Sequence, residues 1–269
     1  MKPDRYEEYK NFPDFLPFVF HSKIARDART VARQSNWHEN LEIQYCDAGR
    51  GTVLLDGVRV PFSEGETVAV NGGVIHRTDA DGEELVYSCV ILDSEFCRRA
   101  GIDVSKIRFD SRFSDARVGN LFAQIRAVYE KHADVCRAAR LQALALQLLI
   151  CLRTDHALPS GVLAKDGSNQ TVKDALRYIR AHFEEKLSLE DVAKAIYVNK
   201  YVLSRRFKDA TGQTVVEYVN TYRCFCAAQL LEEGQTVAYA ARCCGFSNLS
   251  YFAKKFRECM GKSPKNWIK

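Results

Sequence analysis

Two similar stretches decide the fold of this chain: SLEDVAKAIYVNKYVLSRRFKDATG at residues 188–212 and TVAYAARCCGFSNLSYFAKKFRECMG at residues 236–261. In each, a short apolar segment precedes a turn and then a longer segment that carries basic residues. Phe207 and Phe256 each stand five residues before a Gly. A second apolar residue lies four positions before each Phe, on the same face of a helix. The pattern predicts a pair of helices that occurs twice, with a period of about fifty residues.

Each stretch has the local signals of a helix-turn-helix unit. Ser188 and Asp191 have the spacing of a capping box, and Asn248 is a good N-cap for the last long helix. Gly245 suits the left-handed end of the helix that Thr236 opens. In this motif the second helix enters the major groove with its N-terminal residues on base edges, so the pattern predicts DNA binding.

The segment between the two units is predicted to be one long helix. Thr214 and Glu217 form another capping box, and the helix can continue until Gly234 stops it. About twenty residues at 1.5 Å each give about 30 Å, close to the ~34 Å of one DNA turn. The two units would then face successive major grooves on one side of a duplex. In the same way, Thr171 with Asp174 predicts the start of the first helix of this domain.

The segment resembles the DNA-binding domain of the AraC/XylS family of bacterial transcription regulators. The resemblance is carried by LSRRFKDATG at 203–212 and by GFSNLSYFAKKFRECMGKSP at 245–264, with Trp267 just beyond, and it covers about eighty residues. It implies an all-α domain with two helix-turn-helix units joined by a long helix. It also implies double-stranded promoter DNA and RNA polymerase as partners.

The resemblance assigns the residues expected to contact DNA. The positions expected to face the bases are Tyr201, Ser204, Arg205, Leu249, Ser250, Tyr251 and Lys254. Arg, Ser and Lys suit base edges, whereas Leu249 departs from the polar residue common in the family and can offer only an apolar contact. The positions expected at phosphates are Lys200, Arg206, Lys208, Lys255 and Lys262. Simple surface charge explains those five equally well, because sequence does not separate the two cases.

The first half of the chain has the pattern of a small antiparallel β domain. From about residue 22 to residue 93, short alternating segments are separated by turn signals. Asp56-Gly57 is a hairpin signal, and turns are also predicted at 47–51, 64–65 and 81–82. Residues 1–20 have several Phe and Pro, and we interpret them as an arm packed on the rest of the protein.

This part resembles the cupin barrel that many AraC-type regulators use as a sensor of small ligands. The resemblance is carried by NWHENLEIQYCDAGRGTVLLDG at 36–57 and PFSEGETVAVNGGVIHR at 61–77. Metal cupins carry His-x-His and Glu in the first phrase and His in the second, but here Asn36 stands at the first His position. The remaining polar positions are His38, Glu42, Gln44 and His76.

Three interpretations of these four residues stay open. They bind a small polar ligand, which is the interpretation that we favour. Alternatively His38, Glu42 and His76 hold a metal ion, although the missing His removes one ligand. In the third interpretation, these polar groups form hydrogen bonds with one another or with the backbone, and the barrel binds little or no ligand. Sugar sensing is common in the family, so a sugar is one class of effector, but nothing in the sequence selects it. No cofactor is predicted.

Between the β domain and the DNA-binding segment, the apolar period changes to that of two helices. The second of them, near 138–152, is apolar on more than one face through six Leu residues, which include Leu144. In the family such helices form the interface of a homodimer, and burial inside one chain is the alternative. Four segments are therefore predicted: an arm and cupin-like barrel at 1–113, a helical dimerisation hairpin at 114–153, a linker at 154–170 and the DNA-binding domain at 171–269.

Charge and composition agree with this division. Residues 171–269 carry 17 Lys and Arg against 10 Asp and Glu, so their net charge is +7, whereas the remainder carries −2. A basic domain beside a slightly acidic one is typical of a DNA-binding protein. No apolar run suits a signal peptide or a membrane span, which predicts a cytoplasmic protein without a membrane partner. The ten Cys have no metal-site spacing and are interpreted as buried free thiols.

Together these patterns predict a transcription regulator that senses a ligand and is not an enzyme, since no catalytic constellation is recognisable. Two alternatives remain from other classes. One is a metal-dependent cupin enzyme tethered to DNA. The other is a DNA-binding protein that needs no ligand.

Overall fold

The structure is a computed structural model that describes residues 16–27, 35–159 and 169–267. Most of the predicted N-terminal arm lies outside these residues; of that segment, Phe18–Phe20 begin a strand. The strands are β1 (Phe18–Asp27), β2 (Leu41–Leu55), β3 (Val58–Ser63), β4 (Glu66–Val70), β5 (His76–Leu92) and β6 (Arg112–Ser114). The helices of the first half are α1 (Ser94–Arg99), a 3₁₀ turn (Val104–Lys106), α2 (Ala116–Tyr129) and α3 (Arg137–Asp155). Those of the second half are α4 (Gln170–His182), α5 (Leu189–Ala195), α6 (Lys200–Thr211), α7 (Val215–Glu232), α8 (Val237–Cys243), α9 (Leu249–Met260) and α10 (Pro264–Trp267).

The first half contains one antiparallel sheet in the order β1-β5-β2-β4-β6, with β3 paired to β2. Its centre is the pairing of β2 with β5, which extends from Leu41↔Leu92 to Leu55↔His76. The alternation in the sequence is reflected in a buried apolar cluster enclosed by β2, β3, β4 and β5. The predicted all-β domain is therefore confirmed; below, residues 16–114 are called the β domain.

Two of the predicted turns in the β domain are not turns. Residues 47–51 and 81–82 lie inside β2 and β5, which continue through both places. Register shifts at Cys46/Ala48 and Gly49/Gly51 bend the strand pair instead. Gly51 is required where the strands bend, because a Cβ there would lie 2.6 Å from the backbone carbonyl oxygen of Asp79. By contrast, Asp56 and Gly57 have φ of 48° and 89° and form the predicted tight hairpin.

Helices α2 and α3 form the predicted helical hairpin and pack on the β domain. Leu141, Leu144, Leu148, Leu149 and Leu152 of α3 are all buried within this one chain, in a cluster that includes Phe18 and Phe20. Ile150 on the same helix is 56 % exposed. Most of the apolar surface of α3 is therefore covered intramolecularly, and a narrower strip around Ile150 remains on the surface.

Part of the predicted linker is ordered. Helix α3 continues to Asp155, and the amide of Leu158 then donates to the carbonyl of Arg108 at 2.7 Å. Ala157 also forms a β-bridge with Phe109. Residues 160–168 lie outside the described residues, and α4 begins at Gln170. The predicted Thr171 cap is wrong, since the N-cap residue of α4 is Asn169, without a side-chain capping bond.

The second half is the predicted all-α domain. Capping boxes at Ser188 and Thr214 open α5 and α7, and Thr236 caps α8 through the amide of Tyr239. Gly212 and Gly261 end α6 and α9 with φ of 71° and 76°, the left-handed conformation that favours Gly. A single apolar cluster, which contains Leu203, Phe207, Phe252 and Phe256 among its fully buried members, holds the helices together. The double helix-turn-helix fold is thus confirmed.

Candidate DNA-reading surface and sensor site

The first recognition helix is α6, and its N-terminus is presented to solvent. Asn199 caps it by accepting from the amide of Tyr201 at 2.9 Å. Tyr201 is 75 % exposed, Arg205 is also exposed, and Ser204 is half-buried. Leu203 and Phe207 on the opposite face are fully buried, so the helix is fixed by one face while the other stays free.

The second recognition helix, α9, repeats this arrangement. Asn248 accepts from the amide of Tyr251 at 2.8 Å. The four residues predicted to face bases are all on its exposed side: Leu249, Ser250, Tyr251 and Lys254. The Tyr251 hydroxyl accepts a hydrogen bond from Nδ2 of Asn220 on α7 at 3.2 Å, so the joining helix orients this side chain.

The five basic residues predicted at phosphates have different environments. Nζ of Lys200 lies 2.5 Å from Glu190, and Nζ of Lys255 lies 2.7 Å from Glu258. The guanidinium of Arg206 donates to the hydroxyl of Thr171 at 3.2 Å. Lys208 and Lys262 are exposed. The two lysines with an acidic neighbour must exchange that neighbour in order to reach a phosphate, which lowers the gain from such a contact.

The joining helix α7 has 18 residues and therefore spans roughly 27 Å. The carboxylate of Glu217 closes its N-terminal capping box with the amide of Thr214 at 2.8 Å. Eleven of its residues are buried, since α7 packs against helices of both units. The helix is slightly shorter than the about 30 Å expected from the sequence, and the placement of the two units on successive major grooves stays a prediction.

The four predicted sensor residues come together inside the β domain. Oε2 of Glu42 lies 3.0 Å from Nε2 of His38 and 3.2 Å from Nε2 of His76. Nε2 of Gln44 donates to Oε1 of Glu42 at 2.8 Å, and the hydroxyl of Thr78 donates to Gln44 at 2.8 Å. His38, Glu42, Gln44 and His76 are all buried. The cluster is a connected polar network in which Glu42 is the centre.

The ring nitrogens of the two imidazoles are held from both sides. Nδ1 of His38 faces the carbonyl of Asn40 at 3.1 Å, and Nδ1 of His76 faces the carbonyl of Val74 at 3.0 Å. Both Nε2 atoms therefore point at the same carboxylate oxygen. Each imidazole therefore has an oxygen atom within hydrogen-bond distance of both of its ring nitrogens.

The network shifts the pKa values of its members. Burial by itself raises the pKa of Glu42, but attraction and hydrogen bonds from His76 and His38 outweigh it, so the pKa of Glu42 is well below its usual range. Burial by itself lowers the pKa of His76, yet the charge and hydrogen bond of Glu42 raise that pKa overall. Both pKa shifts favour the charged form of the group concerned, Glu42 as carboxylate and His76 as imidazolium.

His38, Glu42 and His76 are also a set that fits a metal ion, with donor atoms all within 4.8 Å of one another. The 3.0 Å and 3.2 Å distances to Glu42 are ordinary hydrogen-bond distances, so it is the type and closeness of the donor atoms that fit a metal ion. The side chain of Asn36 accepts from Arg180 of α4 at 3.2 Å, so it bonds to the helical domain and not to this cluster.

Sequence reasoning missed a second cluster at the base of the helical hairpin. Oδ2 of Asp115 lies 2.9 Å from Nε2 of His156 and 3.6 Å from Sγ of Cys151, and Asp115 also caps α2. Arg117 forms an ion pair with the same carboxylate at 2.6 Å. Asp115 lies far along the chain from Cys151 and His156, so the sequence does not show that the three residues meet. It showed only that Asp115 comes directly before a segment with the apolar period of a helix. The cluster ties the start of α2 to the end of α3.

Comparisons with known proteins place both halves of the chain. The sequence model of the AraC-like ligand-binding domain matches residues 21–163, more than half of the chain, and a helix-turn-helix domain model matches residues 192–269. The chain belongs to the AraC family. It is thus a DNA-binding transcription regulator with an N-terminal ligand-binding domain.

Relatives of this AraC-family regulator are themselves regulators. An uncharacterised HTH-type transcriptional regulator of Bacillus subtilis, YdeC, is 22 % identical over 87 % of this chain and 85 % of its own length. The regulatory protein PocR of Salmonella typhimurium is 42 % identical, but over 35 % of this chain and 31 % of its own. ToxT of Vibrio cholerae has the same two-domain fold, with a TM-score of 0.53 at 12 % identity over 94 % of this chain and 98 % of that chain.

Among the described residues, no helix of this AraC-family regulator is both long and apolar enough to cross a membrane.

Proposed function

We propose that this regulator binds a small polar effector at His38, Glu42, Gln44 and His76 and acts on promoters as a homodimer that contacts RNA polymerase. One observation carries the sensor assignment: four polar side chains converge in the interior of the β domain, around one buried carboxylate. Buried polar groups of this kind give a ligand its orientation and its specificity. An effector hydroxyl or amine would exchange for the internal hydrogen bonds of Glu42.

For DNA, we propose that α6 and α9 read bases through their exposed residues. The support is that Arg205 and Lys254 extend from helices whose opposite faces are anchored in the domain core. A rigid helix with a free N-terminal half is what major-groove reading requires. Since the target is chromosomal DNA, the proposed location is the cytoplasm.

Binding to sheared chromosomal DNA by the purified protein, at defined salt, tests the promoter assignment. A few enriched promoter sites with paired half-sites are expected, and the adjacent genes would indicate the class of effector. Uniform binding that fades with salt would contradict sequence-specific regulation. A variant with both Arg205→Ala and Lys254→Ala is the control, since it keeps the basic charge elsewhere in the domain.

A screen of metabolites by thermal shift tests the effector site, because a ligand that binds only the folded state raises the melting temperature. Sugars form one arm of the screen, and small amines and carboxylic acids form the others. The shift should disappear in Gln44→Ala, while Gln124→Ala, an exposed position on α2, should retain it. A full screen without any shift would favour the regulator that needs no ligand.

A metal-dependent role is the second candidate, and the donor set of His38, Glu42 and His76 is the observation that favours it. We propose that the protein is not an enzyme. Elemental analysis after purification without chelators separates the metal-dependent role from the metal-free effector site. A transition metal present at one per chain, and lost in Glu42→Gln, would favour the metal-dependent role.

A further inference from the structure

Two short segments of the β domain reach the DNA-binding domain, and they are the segments that carry the sensor histidines. Asn36 and His76 form an isolated β-bridge, in which each amide donates to the other residue's carbonyl at 2.8 Å. His38 lies two residues after this bridge, on the segment 35–38, and His76 lies at the centre of the segment 75–77. We call these two segments the clamp.

One side of the clamp holds the C-terminal end of the first recognition helix. Nη1 of Arg77 donates to the carbonyl of Thr211 at 2.5 Å, and the hydroxyl of Ser35 donates to the same carbonyl at 3.2 Å. Thr211 is the last residue of α6, where the helix dipole is negative. A buried guanidinium at this position both satisfies a free carbonyl and offsets the dipole. Asp79 keeps the guanidinium in place through Nε, at 3.0 Å.

Apolar contacts add to the hold of the clamp on the DNA-binding domain. Trp37 and Ile75 are buried at 4 % and 0 % exposure, and both belong to the apolar core of the DNA-binding domain. The ring of Trp37 lies under Nζ of Lys173, 5.2 Å from the ring centroid. At the tip of the β2–β3 hairpin, a Cβ on Gly57 would lie 2.3 Å from the carbonyl of Asp209. The β domain thus touches the backbone of the last turn of α6.

The other side of the clamp faces the sensor cluster. Successive residues of an extended chain point to opposite faces, so His76 points inward while its neighbours point outward. His38 and His76 both contact Glu42, whereas Trp37, Ile75 and Arg77 contact the DNA-binding domain. A shift of the backbone at either histidine therefore changes the contacts with Glu42 on one face and the contacts with the DNA-binding domain on the other.

We propose that the clamp couples the sensor cluster to α6, so that exchange of the Glu42 hydrogen bonds at His38 and His76 loosens the hold of Arg77 and Ser35 on Thr211. The proposal rests on the proposed effector site. Ligand binding would make the first recognition helix more mobile relative to the β domain. Because such coupling is reciprocal, a change in the position of that helix would also change the affinity for the ligand. Arg77 is a positioning residue in this scheme and touches neither ligand nor DNA.

Hydrogen exchange of the full chain, followed by mass spectrometry, tests the coupling without ligand or DNA. Glu42→Gln removes the charge that binds both imidazoles. It is expected to increase exchange about fivefold in residues 207–212, which are the last turn of α6 and its Gly212 cap, and to leave α9 unchanged. The matched control is Glu66→Gln, the same substitution on β4, where the carboxylate pairs with Arg112 at 2.6 Å. It should leave α6 as in the wild type.

The proposal is overturned if Glu42→Gln changes exchange in β2 and β5 but not at the end of α6. Where Glu42→Gln prevents folding, Arg77→Gln tests the clamp from the other side with the sensor cluster intact. It should increase exchange both at 207–212 and at 36–42, and an unchanged 36–42 segment would refute the coupling. Absence of sequence-specific DNA binding would count against the proposed function alone, because these measurements use no DNA.

Discussion

Nε2 of His76 lies 3.2 Å from Oε2 of Glu42, and both side chains are buried. The His76 pKa is raised in the folded protein, so its contribution to stability is full below the unfolded value near 6.5 and is lost as pH rises through the folded pKa. The Glu42 pKa is lowered, so its contribution is present above its unfolded value and is lost as pH falls through the folded pKa. The pair therefore stabilises most between about pH 4.5 and pH 6.5.

The first prediction concerns this pH window. His76→Gln should lower the free energy of unfolding at pH 6 by about 3 kcal/mol, because it leaves the buried Glu42 with one partner fewer. At pH 9 the loss should be smaller by about 1 kcal/mol or more, since the wild-type ion pair is then weakened. Urea unfolding at both pH values measures the difference. The control is His132→Gln, at an exposed position between α2 and α3. An equal loss in His76→Gln at pH 6 and at pH 9 would contradict a charged pair.

The second prediction separates base contacts from phosphate contacts. Arg205→Ala should weaken binding to a selected site by about 1–3 kcal/mol and relax the preference at one base pair. Lys208→Ala should weaken binding to all sequences about equally and reduce the salt slope by about one. Fluorescence anisotropy with variant duplexes across a salt series distinguishes these effects. Lys265→Ala, an exposed Lys on α10, is the control, and a loss there of the same size would contradict the assignment.

The third prediction tests the caps of the two recognition helices. Asn199→Ala and Asn248→Ala each remove the acceptor for the amide of a tyrosine at the start of a helix. Each should lower the stability of the DNA-binding domain by about 1 kcal/mol. Asn120→Ala in the middle of α2, an exposed position, should change stability by less than about 0.5 kcal/mol. Chemical denaturation of the full chain measures all three, and a neutral Asn248→Ala would show that this cap is not needed.

The fourth prediction concerns the proposed homodimer. The sequence points to Leu144 as the residue to replace, but Leu144 is 7 % exposed and a charge there would also unfold the hairpin. Ile150 is 56 % exposed and lies beside a groove lined by Leu121, Gln147 and Cys151. Ile150→Glu should therefore give monomers in sedimentation experiments at an unchanged melting temperature. Val135→Glu, at a 99 % exposed position between α2 and α3, should stay dimeric; if Ile150→Glu also stays dimeric, the interface lies elsewhere.

Local signals in the sequence were sufficient for the helical half. Capping boxes at Ser188 and Thr214 and the cap at Asn248 join residues three positions apart, so the sequence alone contains both partners. The wrong cap at Thr171 shows the limit of this reasoning. There α4 begins at Gln170 after the N-cap residue Asn169, two positions before Thr171, so the capping-box spacing of Thr171 and Asp174 is not used.

The β half was predicted less completely, because its bends depend on paired strands. Residues 47–51 have the composition of a turn, yet the pairing of β2 with β5 keeps them extended through two register shifts. The convergence of His38, Glu42 and His76 was expected from the resemblance to cupins. Their mutual hydrogen bonds, with Glu42 shared between two imidazoles, required the distances of the folded chain.

The sequence by itself determined the two helix-turn-helix units and the antiparallel β domain, because apolar period, caps and tight turns act over a few positions. Only the tertiary structure decided how the two halves meet. Arg77 and Thr211 are 134 positions apart, and nothing local to either predicts their hydrogen bond. Such a contact is set by the packing of whole domains, which depends on all of their surfaces at once.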